Sequence, residues 1–424
     1  MPAVAETLRH LQHVDEEPAL CKLVPSLFSS FVDTFVDYVV GGQVLKRLEA
    51  PSVDPNAVGS AFTKLDGAPP IVLKEKGLQT WLPAPKRLIA VGDIHGDLAK
   101  ARAALHVAEV IDENDHWIGG ETVVVQVGDL LDRGGEEIKV IYLLEKLRGE
   151  AQKVGGNVHI MNGNHEIMNI EGDFRYATPL GLDEFQRWAH WFNLGNVLKE
   201  KCAGLGKEAD IYRDISDSYS AGLRARIAAL RPGGPLASRF LAKHPTVLVV
   251  GSSVFVHGGL LPVHVEHGLE RINQEVSEWM LGTKGWRGPR YLHGGNALVW
   301  LRKYSDVKES ECDCDLLKRC LGSIDGAKRM VVGHTIQQPI GLNGACDNKV
   351  IRVDVGLSKG CSDGMPQVLE IRGDSELRIL SSRLPPTVIE SGDKKDIVEE
   401  KQGLASLLAE APKRSEAATD TAAL

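Results

Sequence analysis

The stretch Leu88-Ile89-Ala90-Val91-Gly92-Asp93-Ile94-His95-Gly96-Asp97 decides the fold, because a short apolar run of strand length passes directly into glycine-flanked Asp and His. The same grammar recurs along the chain. Thr122 to Val127 runs into Gly128-Asp129-Leu130-Leu131-Asp132-Arg133-Gly134, and Val158 to Met161 into Asn162-Gly163-Asn164-His165-Glu166. Val254 to Val256 leads to His257-Gly258-Gly259, and Met330 to Val332 to Gly333-His334-Thr335. Loops at the carboxyl ends of strands converge on one crevice in α/β folds, so these five junctions are expected to deliver their polar residues to a single site.

Asp93, His95, Asp129, Asn164, His257 and His334 form a mixed oxygen and imidazole set suited to divalent transition ions such as Mn, Fe or Zn. The set is too rich for one ion. Two ions about 3.5 to 4 Å apart and sharing a carboxylate would use all six side chains. A purely structural reading would bury many ionisable groups at strand ends without compensation.

Working outward, further short apolar runs at Val247 to Val250 and Val350 to Val353 read as strands. Leu98 to Val110, Glu136 to Val154, Leu182 to Lys199 and Leu236 to Ala242 read as helices between them, a pattern of α/β layering. Near the start, Leu27, Phe28, Phe31, Val32, Phe35, Val36 and Val39 recur at helical spacing. The Asp33 and Asp37 face of that helix is acidic, which favours packing on the body of the protein over membrane adhesion. A Pro- and Gly-punctuated connector spans Ala50 to Pro70, and a polar, charged tail follows Arg383. The expected organisation is an N-terminal extension over 1–85, a catalytic domain over 86–383 and a disordered tail over 384–424.

The chain has 424 residues, 43% of them hydrophobic, and a net charge of −8, so it can bury a sizeable core and has no general attraction to nucleic acid or anionic lipid. No run of apolar residues is long enough for a spanning helix. Glu6, Asp15, Glu16 and Glu17 against Arg9 do not fit a secretory or transit peptide, which makes the cytoplasm the expected compartment. Cys312, Cys314 and Cys320 cluster; most such clusters are ordinary thiols, and a disulfide among them is a better expectation than a zinc site, for which four ligands cannot be assembled. With no presequence, that cluster would also fit a thiol-oxidising import partner and the mitochondrial intermembrane space as an alternative location.

The motifs GDIHGD, GDLLDRG, GNHE, HGGL and GHT resemble the phosphoprotein phosphatase family of metallophosphatases. MNGNHEIMNIEGDFRYAT and LVWLRKY narrow the resemblance to the Shewanella-like protein phosphatases of plants, non-plastid type, over about residues 20–380. The resemblance implies the calcineurin-like metallophosphatase fold, a β-sandwich flanked by helices with the dinuclear metal site at strand ends. It puts Asp93, His95 and Asp129 on one metal and Asp129, Asn164, His257 and His334 on the other. His165 becomes the general acid oriented by Asp132, and Arg133 and Arg302 grip phosphate oxygens. The implied reaction is direct attack of a metal-bridging hydroxide on a phosphoprotein, with phosphotyrosine preferred and no cysteine phosphate cradle. Long insertions between HGGL and GHT, with Trp286 and Tyr291, favour a peptide over the rival substrate class of dinucleoside polyphosphates. A non-catalytic scaffold is disfavoured because every implied ligand and His165 are present.

Other residues carry plainer expectations. His244, before Pro245, reads as a surface residue, His159 as a core or edge strand residue and His190 as helix packing. Glu166 and Asp354 read as acceptors that orient the site. Glu171, Asp173, Phe174 and Arg175 are placed near the substrate cleft by the resemblance alone.

Overall fold

The computed structural model describes residues 78–201, 210–382 and 385–389. The expected amphipathic N-terminal helix, the expected connector and most of the expected tail lie outside them. The strands are β1 (Trp81–Leu82), β2 (Arg87–Val91), β3 (Val123–Gln126), β4 (Asn157–Ile160), β5 (Val247–Val250), β6 (Ser253–Val256), β7 (Arg329–Val332), β8 (Asn343–Ala345), β9 (Val350–Arg352), β10 (Gln367–Arg372), β11 (Glu376–Ser381) and β12 (Thr387–Val388). The helices are α1 (Leu98–Val107), α2 (Glu137–Gln152), α3 (Asn164–Ile170), α4 (Pro179–Lys201), α5 (Ala221–Leu230), α6 (Pro235–Arg239), α7 (Pro262–His267), α8 (Leu269–Met280) and α9 (Cys314–Gly322).

Two six-stranded sheets result, in the orders β1-β5-β6-β7-β9-β8 and β12-β11-β10-β2-β3-β4. In the second, β2, β3 and β4 run parallel, with Leu88 opposite Val123 and Val124 opposite Val158. In the first, β6, β7 and β9 run parallel. Parallel strands need crossovers and covered faces. α1 and α2 supply the crossovers, and β5, β6 and β7 are buried along their whole length. The apolar stripe of α2 (Ile138, Ile141, Leu144, Leu147 and Ala151, among others) is buried, each such large side chain contributing roughly 1.5–3 kcal/mol. No helix among the described residues is long and apolar enough to cross a membrane.

All seven strands expected from the sequence form, shifted by at most a residue or so, and α1, α2 and α4 occupy the expected stretches. The expected helix at Leu236 to Ala242 breaks into α6 and a 3-10 turn at Leu241–Lys243. The tail does not begin at 384 as a structureless segment: Thr387 and Val388 pair with Ile379 and Arg378 as β12, extending the sheet edge. Cys314 forms its disulfide with Cys346, 32 positions away, rather than with Cys312 or Cys320, which are buried free thiols. Sequence proximity pointed to the wrong partner because the fold brings the Cys346 turn against the start of α9, with the two Cα atoms 5.3 Å apart.

Candidate active site

Three parallel strands from each sheet end at one crevice. β2 delivers Asp93 and His95, β3 delivers Asp129, Asp132 and Arg133, and β4 delivers Asn164 and His165. From the other sheet β6 delivers His257, β7 His334 and β9 Asp354. The loops are stitched together by main chain: the Ile94 and His95 amides donate to the Asp129 carbonyl, and that of Gly96 to Leu130. His95, Asp129, Asp132, Arg133 and His334 all take positive φ, between 47° and 68°. A non-glycine residue there costs on the order of 1–3 kcal/mol, the kind of strain that surrounding structure sustains at functional sites. Glycine is obligatory beside the ligands: a Cβ on Gly163 would sit 2.2 Å from Asp129 Oδ1, and one on Gly333 2.3 Å from Asp93 Oδ1.

Asp129 is the centre of the cluster. Its Oδ2 lies 3.2 Å from His257 Nε2, 3.6 Å from His95 Nε2 and 3.8 Å from His165 Nε2. His95 and His257 have their other ring nitrogen, Nδ1, against the carbonyls of Leu131 and Val127, at 2.9 and 3.0 Å. With Nδ1–H donating there, each Nε2 is turned into the crevice, where its lone pair serves a metal once any proton on it is displaced. His257 Nε2 faces two oxygens, Asn164 Oδ1 at 2.9 Å and Asp129 Oδ2 at 3.2 Å, which hold a proton on it until a cation takes its place. Buried His334 Nε2 has no hydrogen-bond partner at all. Converging acceptors and an orphaned buried imidazole nitrogen are what a bound cation resolves, so the residues present fit two divalent ions. Ligand atoms of His95, Asp129 and His165, and of Asp129, His257 and His334, lie within 4.8 Å of one another. Asp93 is turned so that it accepts from the His334 amide at 3.1–3.2 Å.

Burial and mutual charge set the protonation of the cluster. Burial, with Asp354 and Asp129 nearby, drives Asp93 well above the usual carboxylate range. Burial disfavours charge on His257, but Asp129 and Asp93 outweigh it and lift its pKa to about 10. His334 falls to about 2 through burial and the neighbouring His257 and Arg302 charges. Burial takes His95 down to about 4. Burial likewise opposes charge on His165, but the carboxylates of Asp129 and Asp132 prevail and raise its pKa. His165 Nδ1 is 2.6 Å from Asp132 Oδ2, which fixes the ring so that Nε2 faces the cluster.

Glu166 holds the loops from behind, accepting from the amides of Asp129, Leu130, Leu131 and Gly163 at 2.7–3.1 Å. Asp354 accepts from the Gly356 amide at 2.8 Å, and burial lifts its carboxyl to about 6. Arg133 and Arg302 line the crevice together with Tyr176, Trp300, Ile336, Leu357 and Cys361. The Arg133 guanidinium lies 5.0 Å from the Tyr176 ring centre, and Arg302 Nη1 donates to the His334 carbonyl and Thr335 Oγ1. Tyr176 and Trp300 had no distinguishing signal beyond their place in FRYAT and LVWLR.

Of the ten residues that the resemblance assigns to the site, eight line one crevice, and the other two, Asp132 and His257, stand directly behind it against His165 and Asp129. Others fall elsewhere than expected. His244 is buried rather than on the surface, its Nε2 2.9 Å from Glu145, because Pro245 leads straight into a core strand. His190 is exposed on α4 rather than buried in packing. Cys346 and Arg352 do have Cys-x5-Arg spacing, but Cys346 is oxidised and Arg352 bonds the Asp306 carbonyl and Asn343, so they form no phosphate cradle.

The family profile described as calcineurin-like phosphoesterase matches residues 86–338. The chain is 54% identical over 376 residues to Shewanella-like protein phosphatase 2 of Arabidopsis thaliana, covering 87% of this chain and 90% of that one. Shewanella-like protein phosphatase 1 of Plasmodium berghei is 28% identical over 286 residues, covering 66% and 69%. The fold is also that of a cold-active protein-tyrosine phosphatase of a psychrophilic Shewanella species, with a TM-score of 0.53 at 21% identity over 74% of this chain and 83% of that one. The chain belongs to the calcineurin-like phosphoesterases and, within them, to the Shewanella-like protein phosphatases. It is thus a metal-dependent protein phosphatase.

Proposed function

We propose that the crevice hydrolyses phosphate monoesters on proteins, with phosphotyrosine preferred, by direct displacement and without a phosphoenzyme. The observation that carries this reading is the convergence of two ligand sets on Asp129 beside a histidine whose ring is locked by Asp132. Asp93, His95 and Asp129 would hold one ion, and Asp129, Asn164, His257 and His334 the other, with Mn, Fe or Zn suited to such a donor set. Bound there, two divalent ions lower the pKa of a water and draw charge from the phosphate oxygens. The protein supplies the rest. Arg133 and Arg302 offer planar guanidinium donors to the remaining phosphate oxygens, a two-point grip that also orients the ester. His165, with its pKa raised and Nδ1–H given to Asp132, keeps Nε2–H for the departing ester oxygen.

Two features favour a tyrosyl ester on a peptide. Tyr176 and Trp300 flank the crevice and present ring surface to a phenyl group. A groove of about 560 Å³ adjoins it, sharing Trp300 and Arg302 and lined by Ile167, Met168, Glu171, Asp173 and Leu292. Glu171 and His293 continue towards the exposed Trp286. Turnover of matched phosphotyrosine and phosphothreonine peptides, with a dinucleoside tetraphosphate alongside, tests the substrate class. The tyrosyl peptide is expected to have the highest kcat/KM, and a faster dinucleoside tetraphosphate would overturn the reading. Trp286→Ala is expected to raise KM for the peptide about tenfold, the size of loss when an aromatic contact is removed from an interface. kcat on phenyl phosphate, too small to reach Trp286, should stay within about twofold of wild type; equal losses on both would remove the groove from the account.

A further inference from the structure

The most completely buried cationic side chain among the described residues, histidines aside, is Arg226, on α5, with no side-chain exposure. It does not line the crevice. Nor does the sequence reveal its destination, since α5 reads AGLRARIAAL and its neighbour Arg224 is a partly exposed partner of Asp217.

Every acceptor of the Arg226 guanidinium leads to Asp132. Nη2 donates to Asp132 Oδ1 at 2.8 Å. Nη1 and Nη2 grip the two oxygens of buried Glu137 at 2.8 and 2.7 Å. Glu137 Oε2 in turn accepts from the Asp132 amide at 2.8 Å. Nε donates to Asn169 Oδ1 at 2.8 Å, and the Asn169 amide group donates to Asp132 Oδ2 at 3.0 Å and to the His165 carbonyl at 2.8 Å. Asp132 is thus held at its main-chain amide and at both carboxylate oxygens. Its Oδ2 has one further partner, His165 Nδ1. The four residues come from the β3 loop, the start of α2, the end of α3 and the middle of α5, so no local turn geometry produces this arrangement.

We infer that Arg226 is a positioning residue for catalysis: it fixes the carboxylate of Asp132, and through it the ring of His165, so that His165 Nε2 meets the departing ester oxygen. This rests on the reading of His165 as the general acid. An arginine used only to tie α5 to the core needs any buried carboxylate. This one divides its donors between Asp132, the residue that buttresses the Asp132 amide, and the residue that shares Asp132 Oδ2. A rigid fork is required, because one planar group must satisfy three acceptor residues at once, which the single ammonium point of lysine does not.

The consequence is kinetic and specific to the leaving group. Protonation by His165 matters for an ester whose alcohol is a poor leaving group and little for one that departs as a stable phenolate. Metal-loaded wild type, Arg226→Lys, His165→Ala and the double variant are compared on phenyl phosphate and on 2,4-dinitrophenyl phosphate. Arg226→Lys is expected to lower kcat on phenyl phosphate at least about tenfold, part of the roughly 10² to 10⁴ that a general acid supplies, and kcat on the dinitrophenyl ester far less. In the His165→Ala background the same substitution should add no further discrimination between the two esters. Asn169→Ala, which loosens the same link while the ion pairs of Arg226 with Asp132 and Glu137 remain, should discriminate in the same direction and serves if Arg226→Lys does not fold. Equal losses on both esters for Arg226→Lys and Asn169→Ala, with His165→Ala still discriminating, would overturn the inference and leave the general acid in place. Absence of discrimination by His165→Ala itself would overturn the general-acid reading and this inference with it.

Discussion

Asp129→Asn is expected to lose bound metal and to lower kcat/KM on phosphopeptides at least about a hundredfold, since each 1.36 kcal/mol is a factor of ten and a shared anionic ligand contributes several kcal/mol. The substitution keeps size and hydrogen-bonding shape but removes the one carboxylate that faces His95, His165 and His257 together. Its effect on folding should be small. Asp129 raises the pKa of both Asp93 and Glu166 by its charge, so neutralising it relieves repulsion inside the buried cluster while the attraction to His257 is lost. Elemental analysis after gel filtration reads the metal content, and circular dichroism reads the fold. Full metal occupancy with unaltered activity in Asp129→Asn would remove this residue from the centre of the site.

His165→Ala is expected to cost roughly 10² to 10⁴ in kcat on phosphopeptides while both metals stay bound. The separation of the two readouts matters because His165 Nε2 lies only slightly farther from Asp129 Oδ2 than His95 Nε2 does, 3.8 against 3.6 Å. Distance alone would allow it to be a ligand. What distinguishes the two rings is the partner of Nδ1. A carbonyl oxygen holds His95, as suits a neutral ligand, whereas the Asp132 carboxylate holds His165 and favours its charged, proton-donating form. Loss of metal together with activity in His165→Ala would reassign it as a ligand.

The ligands were legible in the sequence because each follows an apolar run and is flanked by glycine or a short polar turn, so chain order and strand length carried them to one edge. Their pairing across the two sheets was legible only through the resemblance, since nothing in spacing says that β6, β7 and β9 lie opposite β2, β3 and β4. The support behind the site was not legible. Glu137, Asn169 and Arg226 are far apart in the chain, and no local motif marks them as partners. His244 was misread for a related reason: its partner Glu145 lies on α2, 99 positions earlier, and no local pattern announces the pair. Glu166, by contrast, could be assigned from its place beside His165, because a carboxylate at the start of α3 faces the amides of the loop it follows.

The β10–β11 hairpin shows the complementary case. Gln367–Arg372 and Glu376–Ser381 pair along six residues around Gly373-Asp374, yet the charged residues Glu370, Arg372, Glu376 and Arg378 interrupt their apolar pattern and hide the strand signal. Glu370, fully buried on β10, is matched by Arg87, Arg372 and Arg378, which is how a strand next to the catalytic β2 carries a charge into the core.

The most direct test of the central claim is hydrolysis of a phosphotyrosine peptide by protein stripped with chelator and then titrated with Mn²⁺. The expected result is no turnover in the stripped protein and activity that rises to a plateau at two bound ions per chain. Turnover undiminished by complete removal of metal, or a plateau at a single ion, would contradict a dinuclear centre built on Asp129.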